Sequence, residues 1–254
     1  MSGGSSLWVQ RVFLLAAILA AWEACARLVS DRWISSPVAI AGRLAQWVAG
    51  DLWYHLAVTA TEIASGLAIG IPAGVLAGML LGRSVRLAAV FRPFIVLLNS
   101  LPIVALTPLL IMWFGLGMQP KIVLVAFVSF LLMFFNSFSG ARAVDDELMD
   151  SLELMGATAS ERFFKVVVPS CLTWTIAGLR NALPYALIAA VIGEMMLSRS
   201  GLGHLITRSA QQFDMTGIYS ALFVLMVFGG LVNEATTLME DRLLRWRHLE
   251  TRGG

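Results

Sequence analysis

Six apolar runs are each long enough to cross a bilayer, near residues 8–29, 58–82, 90–114, 121–140, 172–197 and 216–238. No other feature of the chain constrains its fold as strongly. Inside lipid a backbone must satisfy its own N–H and C=O groups, so spans of about 20 residues are helices. Charged residues make up only 13% of the 254 residues and mean hydropathy is +0.80, whereas a soluble domain carries about 25% charged residues. The expected fold is therefore all-α, a polytopic membrane protein with six transmembrane helices and one cytoplasmic helical segment. The N-terminal run resembles a signal peptide, but Trp22 and Glu23 stand where a cleavage site needs small neutral residues, and a first transmembrane helix is the better reading.

Basic residues orient the spans. With the N-terminus inside, Arg11, Arg83, Arg86, Arg92, Arg142, Arg162, Lys165, Arg242, Arg245, Arg247 and Arg252 fall in the cytoplasm. Arg27, Arg32, Arg43, Lys121, Arg199 and Arg208 fall outside. The positive-inside rule then puts both termini in the cytoplasm. Cys25 and Cys171 fall on opposite sides, which argues against a disulfide. The three histidines are scattered, and no metal-ligand spacing, P-loop or nucleophile motif occurs.

The second span repeats glycine every fourth residue, at Gly66, Gly70, Gly74, Gly78 and Gly82. Small residues at helical spacing let two helix backbones approach in lipid. Packing within the chain is the preferred reading, a dimer contact the alternative. Pro93, Pro102 and Pro108 predict a helix broken or bent around a cavity in the third span. Polar residues inside the membrane either line a path or bond to another helix. Asn99, Asn136, Arg180, Asn181 and Glu194 are the translocation-path candidates. Glu23, Glu62 and Glu234 lie near span ends, within reach of the interface, and Asn233 completes the set. Arg180 and Glu194 fall on similar faces of one helix, about 21 Å apart along its axis, too far to pair.

The one long polar island runs from Asp145 to Pro169. Asp145 is an N-cap, with Asp146 and Glu147 in the first turn, where negative charge is favoured. Leu148, Leu152 and Met155 share one helical face. Gly156 stands at a left-handed C-terminal position, and Thr158 with Glu161 fits a capping box that opens a second helix reaching Pro169.

The spacing of this island resembles the cytoplasmic signature of ATP-binding-cassette (ABC) importer permeases: E-A-A, three residues, G, nine residues, then I-x-L-P. Asp150-Ser151-Leu152 stands for E-A-A, Gly156 for the glycine, and Val166, Val168 and Pro169 for the last block. The spacing matches while the letters differ, Asp for Glu and Ser-Leu for Ala-Ala. Leu101-Pro102, Ala105, Pro108-Leu109, Trp113-Phe114-Gly115, Gly178-Leu179-Arg180, Gly193-Glu194-Met195 and Gly201-Leu202-Gly203 resemble the branch serving nitrate, sulfonate and taurine importers. The resemblance covers about residues 55–246, within a single permease domain of 1–254.

That resemblance implies a coupling helix in which Asp150, Ser151, Leu152, Glu153, Met155, Gly156, Ala157 and Pro169 meet an ATPase, with Leu152 and Met155 entering a groove on it. It implies a homodimer in a bacterial inner membrane, two ATP-binding-cassette subunits, a periplasmic solute-binding protein and no nucleic-acid partner. The chain is then no enzyme. It binds no cofactor, and ATP and Mg belong to the partner. A nitrate, sulfonate or taurine-type anion is the expected solute, with a thiamine-precursor pyrimidine or aromatic compound as alternative. From a different class, an ion-coupled secondary transporter would place its coupling sites on the acidic intramembrane residues.

Overall fold

The computed structural model describes residues 3–29 and 33–243. Of the residues named above, Arg32, Arg245, Arg247 and Arg252 lie outside the described residues, as do the side chains of Arg92 and Asn99. The order of elements is α1 (Gly3–Leu28), α2 (Pro37–Ala49), α3 (Leu52–Arg83), α4 (Val85–Asn99), α5 (Ile103–Phe114), α6 (Gln119–Arg142), α7 (Asp146–Leu154), α8 (Ala159–Arg162), a π turn (Phe163–Val167), α9 (Val168–Leu197), α10 (Leu202–Gln211) and α11 (Met215–Leu243). Among the described residues there is no strand.

Among the described residues, five helices are long and apolar enough to cross a membrane. The third expected span is not one helix. It divides at Ser100–Pro102 into α4 and α5, because Pro102 has no N–H to carry the ladder across. The second span begins earlier than expected, at Leu52, which draws His55 into the helix.

The centre of the fold is the parallel pair α3 and α6. A Cβ added at Gly70, Gly74, Gly78 or Gly82 would lie 2.3, 2.5, 2.6 and 2.7 Å from the carbonyl oxygens of Ala126, Phe130, Phe134 and Phe138. One at Gly66 would lie 2.5 Å from Val125 Cβ. The glycine stripe is thus an intrachain seam, as preferred from the sequence. Close approach of two backbones gains dispersion contacts along the whole seam, and lipid supplies no competing hydrophobic drive. Helix α9 packs antiparallel on α6, with Gly140 against Trp174 and Gly178 against Asn136. Between these three helices lies a core of Ile63, Leu67, Leu124, Val125, Val128 and Ala186. Helix α1 is exposed over nearly its full length and touches α2.

Candidate functional site

Two polar assemblies stand at opposite ends of the α3–α6–α9 core. At one end the chain leaves α6 and turns through α7 and α8. Asp145 caps α7, its carboxylate accepting from Glu147 N at 2.9 Å. Gly156 has φ +85°, with Gly156 N donating to Glu153 O at 2.9 Å and Ala157 N to Leu152 O at 3.0 Å. This paired closure of a helix C-terminus uses a left-handed residue, which glycine adopts without Cβ strain. Thr158 and Glu161 then form the expected reciprocal box, Thr158 N donating to Glu161 Oε2 at 3.0 Å and Glu161 N to Thr158 Oγ1 at 3.3 Å.

The hairpin is held to the core at few points. Met149 is 5% exposed and packs with Met79, Ala141, Val144 and Val167. Arg83, at the end of α3, donates to Asp146 at 3.1 Å, and Arg162 pairs with Glu153. The inward residue is Met149, while Leu148 and Met155 of the face read from periodicity are exposed and Leu152 is half-buried. The apolar tip is Leu154, 90% exposed, beside Met155, 82% exposed. Leu154 was missed because it lies off the periodic face. Its position at the last residue before the glycine turn was the available signal. Around the tip, Asp150 is exposed, Ser151 Oγ donates to Glu147 O at 2.8 Å, and Ala157 is half-buried.

Pro169 does not end the second helix. Ala159 to Met196 is one continuous helical run, and Pro169 stands inside it, just after the π turn Phe163–Val167. The π turn just before it absorbs the displaced carbonyls as an extra residue in the turn. The hairpin therefore joins α9 without a flexible link.

At the opposite end lies a buried network that the sequence reading dispersed. Glu62 is 0% exposed and forms an ion pair with Lys121. Glu62, read from the sequence as near a span end, lies inside the fold, since α3 starts ten residues before it. Lys121 Nζ also donates to Ser198 Oγ at 3.0 Å. Glu194 is buried, accepting from Thr59 Oγ1 at 2.6 Å and from Gly203 N at 2.7 Å. Thr59 Oγ1 accepts from Leu202 N at 2.9 Å, and His55 Nδ1 from Gly201 N at 3.0 Å. Side chains of α3 and α9 thus take up the orphan amides that open α10, a place where a carboxylate is favoured. Gly201, at φ +106°, would bring a Cβ within 2.0 Å of Glu194 Oε1, so no other residue fits there. His204 stacks on His55 at 5.8 Å, and burial holds its imidazole below the ordinary value.

The path candidates do not converge. Glu194 belongs to this network. Asn136 is half-buried and donates to Leu132 O at 2.8 Å. Arg180 and Asn181 are exposed on α9 with Pro184, Tyr185 and Ile188 on the same stripe, and Arg180 makes an interaction of its own. Arg180 and Glu194 therefore differ in surroundings despite their similar phase. Asn99 closes α4, its side chain outside the described residues.

A multi-pass helical core with a hairpin continuous with α9, apolar at its tip and acidic around it, defines a helical membrane protein with an exposed apolar turn at one end. The sequence profile of the binding-protein-dependent transport system inner membrane component matches residues 70–245, and the chain belongs to that family. It is thus a permease component, with a transport role and not a catalytic one. A formylaminopyrimidine transport permease protein of Halalkalibacterium halodurans is 30% identical over 236 residues, covering 92% of this chain and 94% of its own. An aliphatic sulfonates transport permease protein of Bacillus subtilis is 31% identical over 245 residues, covering 95% and 88%. In fold, the chain is similar to the inward-facing MetNI methionine ABC transporter, with TM-score 0.59 and 21% identity over 76% of this chain and 92% of that one.

Proposed function

We propose that this chain is the permease subunit of an ATP-driven ABC importer of the sulfonate and taurine type, its whole length forming one permease domain in a bacterial inner membrane with both termini cytoplasmic. Two copies form the pathway, and a periplasmic solute-binding protein delivers the solute. Two ATPase subunits, which hold ATP and Mg, dock on the α7–α8 hairpins. The observation that carries the reading is the exposed Leu154–Met155 tip on a hairpin continuous with α9. Closure of the ATPase dimer moves the tip, and with no flexible joint the motion passes to α9 as a rigid-body shift between two packed states. In this reading Asp150, Ser151, Glu153, Gly156, Ala157 and Pro169 shape the coupling surface.

A small anion is the solute favoured by the sulfonate relative and by Arg180 and Asn181 on the open face of α9. The formylaminopyrimidine relative favours a second reading, a neutral aromatic heterocycle that uses Tyr185 on the same stripe. Family membership weighs against ion-coupled transport. The test is co-expression with its ATPase and binding-protein partners. Purification should yield two permeases and two ATPases, and uptake into proteoliposomes should require ATP and the binding protein. Uptake driven by an ion gradient without the ATPase would refute the reading. A sulfonate or a pyrimidine bound by the delivery protein would decide the solute.

A further inference from the structure

A cavity of about 370 Å³ opens between the end of α3 and the hairpin, with Arg83, Ser84 and Arg162 at its rim and Leu80, Met149 and Phe163 below them. No carboxylate lines it. Asp146 and Glu153 reach the two guanidiniums through Nη1, and both carboxylates are largely exposed. Arg162 Nε is buried and has no hydrogen-bond partner. A buried donor without an acceptor is costly, and an anionic oxygen in the cavity would satisfy it. The cavity lies at the end of the apolar helix α3, at Arg83, and basic residues at the ends of spans commonly meet anionic lipid headgroups. An apolar floor beneath a cationic rim matches a molecule that is a phosphate at one end and hydrocarbon at the other.

We propose that this cavity binds the headgroup of an anionic phospholipid, its phosphate between Arg83 and Arg162 and its glycerol end against Leu80, Met149 and Phe163. The lipid would tie the hairpin to the core at a place where the protein supplies few contacts of its own. The proposal needs only that α3 ends at a membrane surface, so it stands apart from the importer reading.

The experiment uses the full-length chain in detergent, titrated with phosphatidylglycerol, with phosphatidylcholine of the same acyl chains, and with inorganic phosphate, bound lipid being counted by native mass spectrometry. Two basic contacts should favour phosphatidylglycerol on the order of thirtyfold, and Arg83→Gln/Arg162→Gln should reduce the preference to parity. Asp146→Asn/Glu153→Gln breaks the same ion pairs but leaves both arginines, so it should bind phosphatidylglycerol at least as tightly as wild type. Should the arginine variant not fold, the carboxylate variant and the two-lipid comparison decide. Equal binding of the two lipids by wild type, an unchanged preference without the arginines, loss of preference in the carboxylate variant, or full occupation of the site by inorganic phosphate would each overturn the proposal.

Discussion

Lys121 and Glu62 meet within the α3–α6 seam, both with little exposed surface. A buried pair adds little net stability over an apolar replacement, but stranding one partner leaves an uncompensated charge. Lys121→Met should therefore lower stability by about 3–5 kcal/mol, and adding Glu62→Gln should restore most of it. Thermal unfolding of the single and double variants in detergent measures both. Equal stability of Lys121→Met and wild type would mean that Glu62 finds another partner. The face carrying this pair left a signal that the sequence reading did not use: His55, Thr59 and Glu62 continue the glycine stripe at helical spacing, whereas Glu62 was read as lying near a span end, within reach of the interface. Lys121 was not legible, because the pairing joins residues far apart in the chain and periodicity carries no information about which helices meet.

At the scale of elements, the hairpin was legible because its signals are local. The Asp145 cap, the Gly156 turn and the Thr158–Glu161 box each join residues a few positions apart. What the sequence hid were the tertiary choices. Met149 turns inward because a pocket at the end of α3 receives it, and the helix runs past Pro169 because a π turn takes up the strain. The break between α4 and α5 was foreseen from its prolines, but its place at Ser100–Pro102 was not. A Cβ at Gly156 meets nothing within 4 Å, so Gly156→Val is a test of backbone conformation alone. Holding valine at φ +85° costs about 1–3 kcal/mol, and the turn should relax and re-aim Leu154 and Met155. The variant should insert and dimerise normally while its ATPase association in a pull-down falls. Undiminished association would show that the left-handed turn does not set the docking geometry.

Across the whole molecule, the account assigns the two ends different work. The α10 end is cross-linked by Glu194, Thr59 and His55 into one body with α3 and α9. The hairpin end is held by Met149 and two ion pairs, and it presents its apolar tip outward. A force applied at the tip therefore passes into α9 and reaches an end that does not yield locally, which is what a two-state rocking motion requires. In the docking we propose, burial of Leu154 and Met155 in a partner groove would supply the grip, at about 1.5–3 kcal/mol for each side chain. The measurement that tests this most directly is ATP hydrolysis by the reconstituted complex, with and without loaded binding protein, for wild type and Leu154→Ser/Met155→Ser. The expected result is an intact permease dimer, ATPase affinity weaker by about 10²- to 10⁴-fold, and no stimulation by the loaded binding protein. Full affinity together with full stimulation in that variant would contradict it.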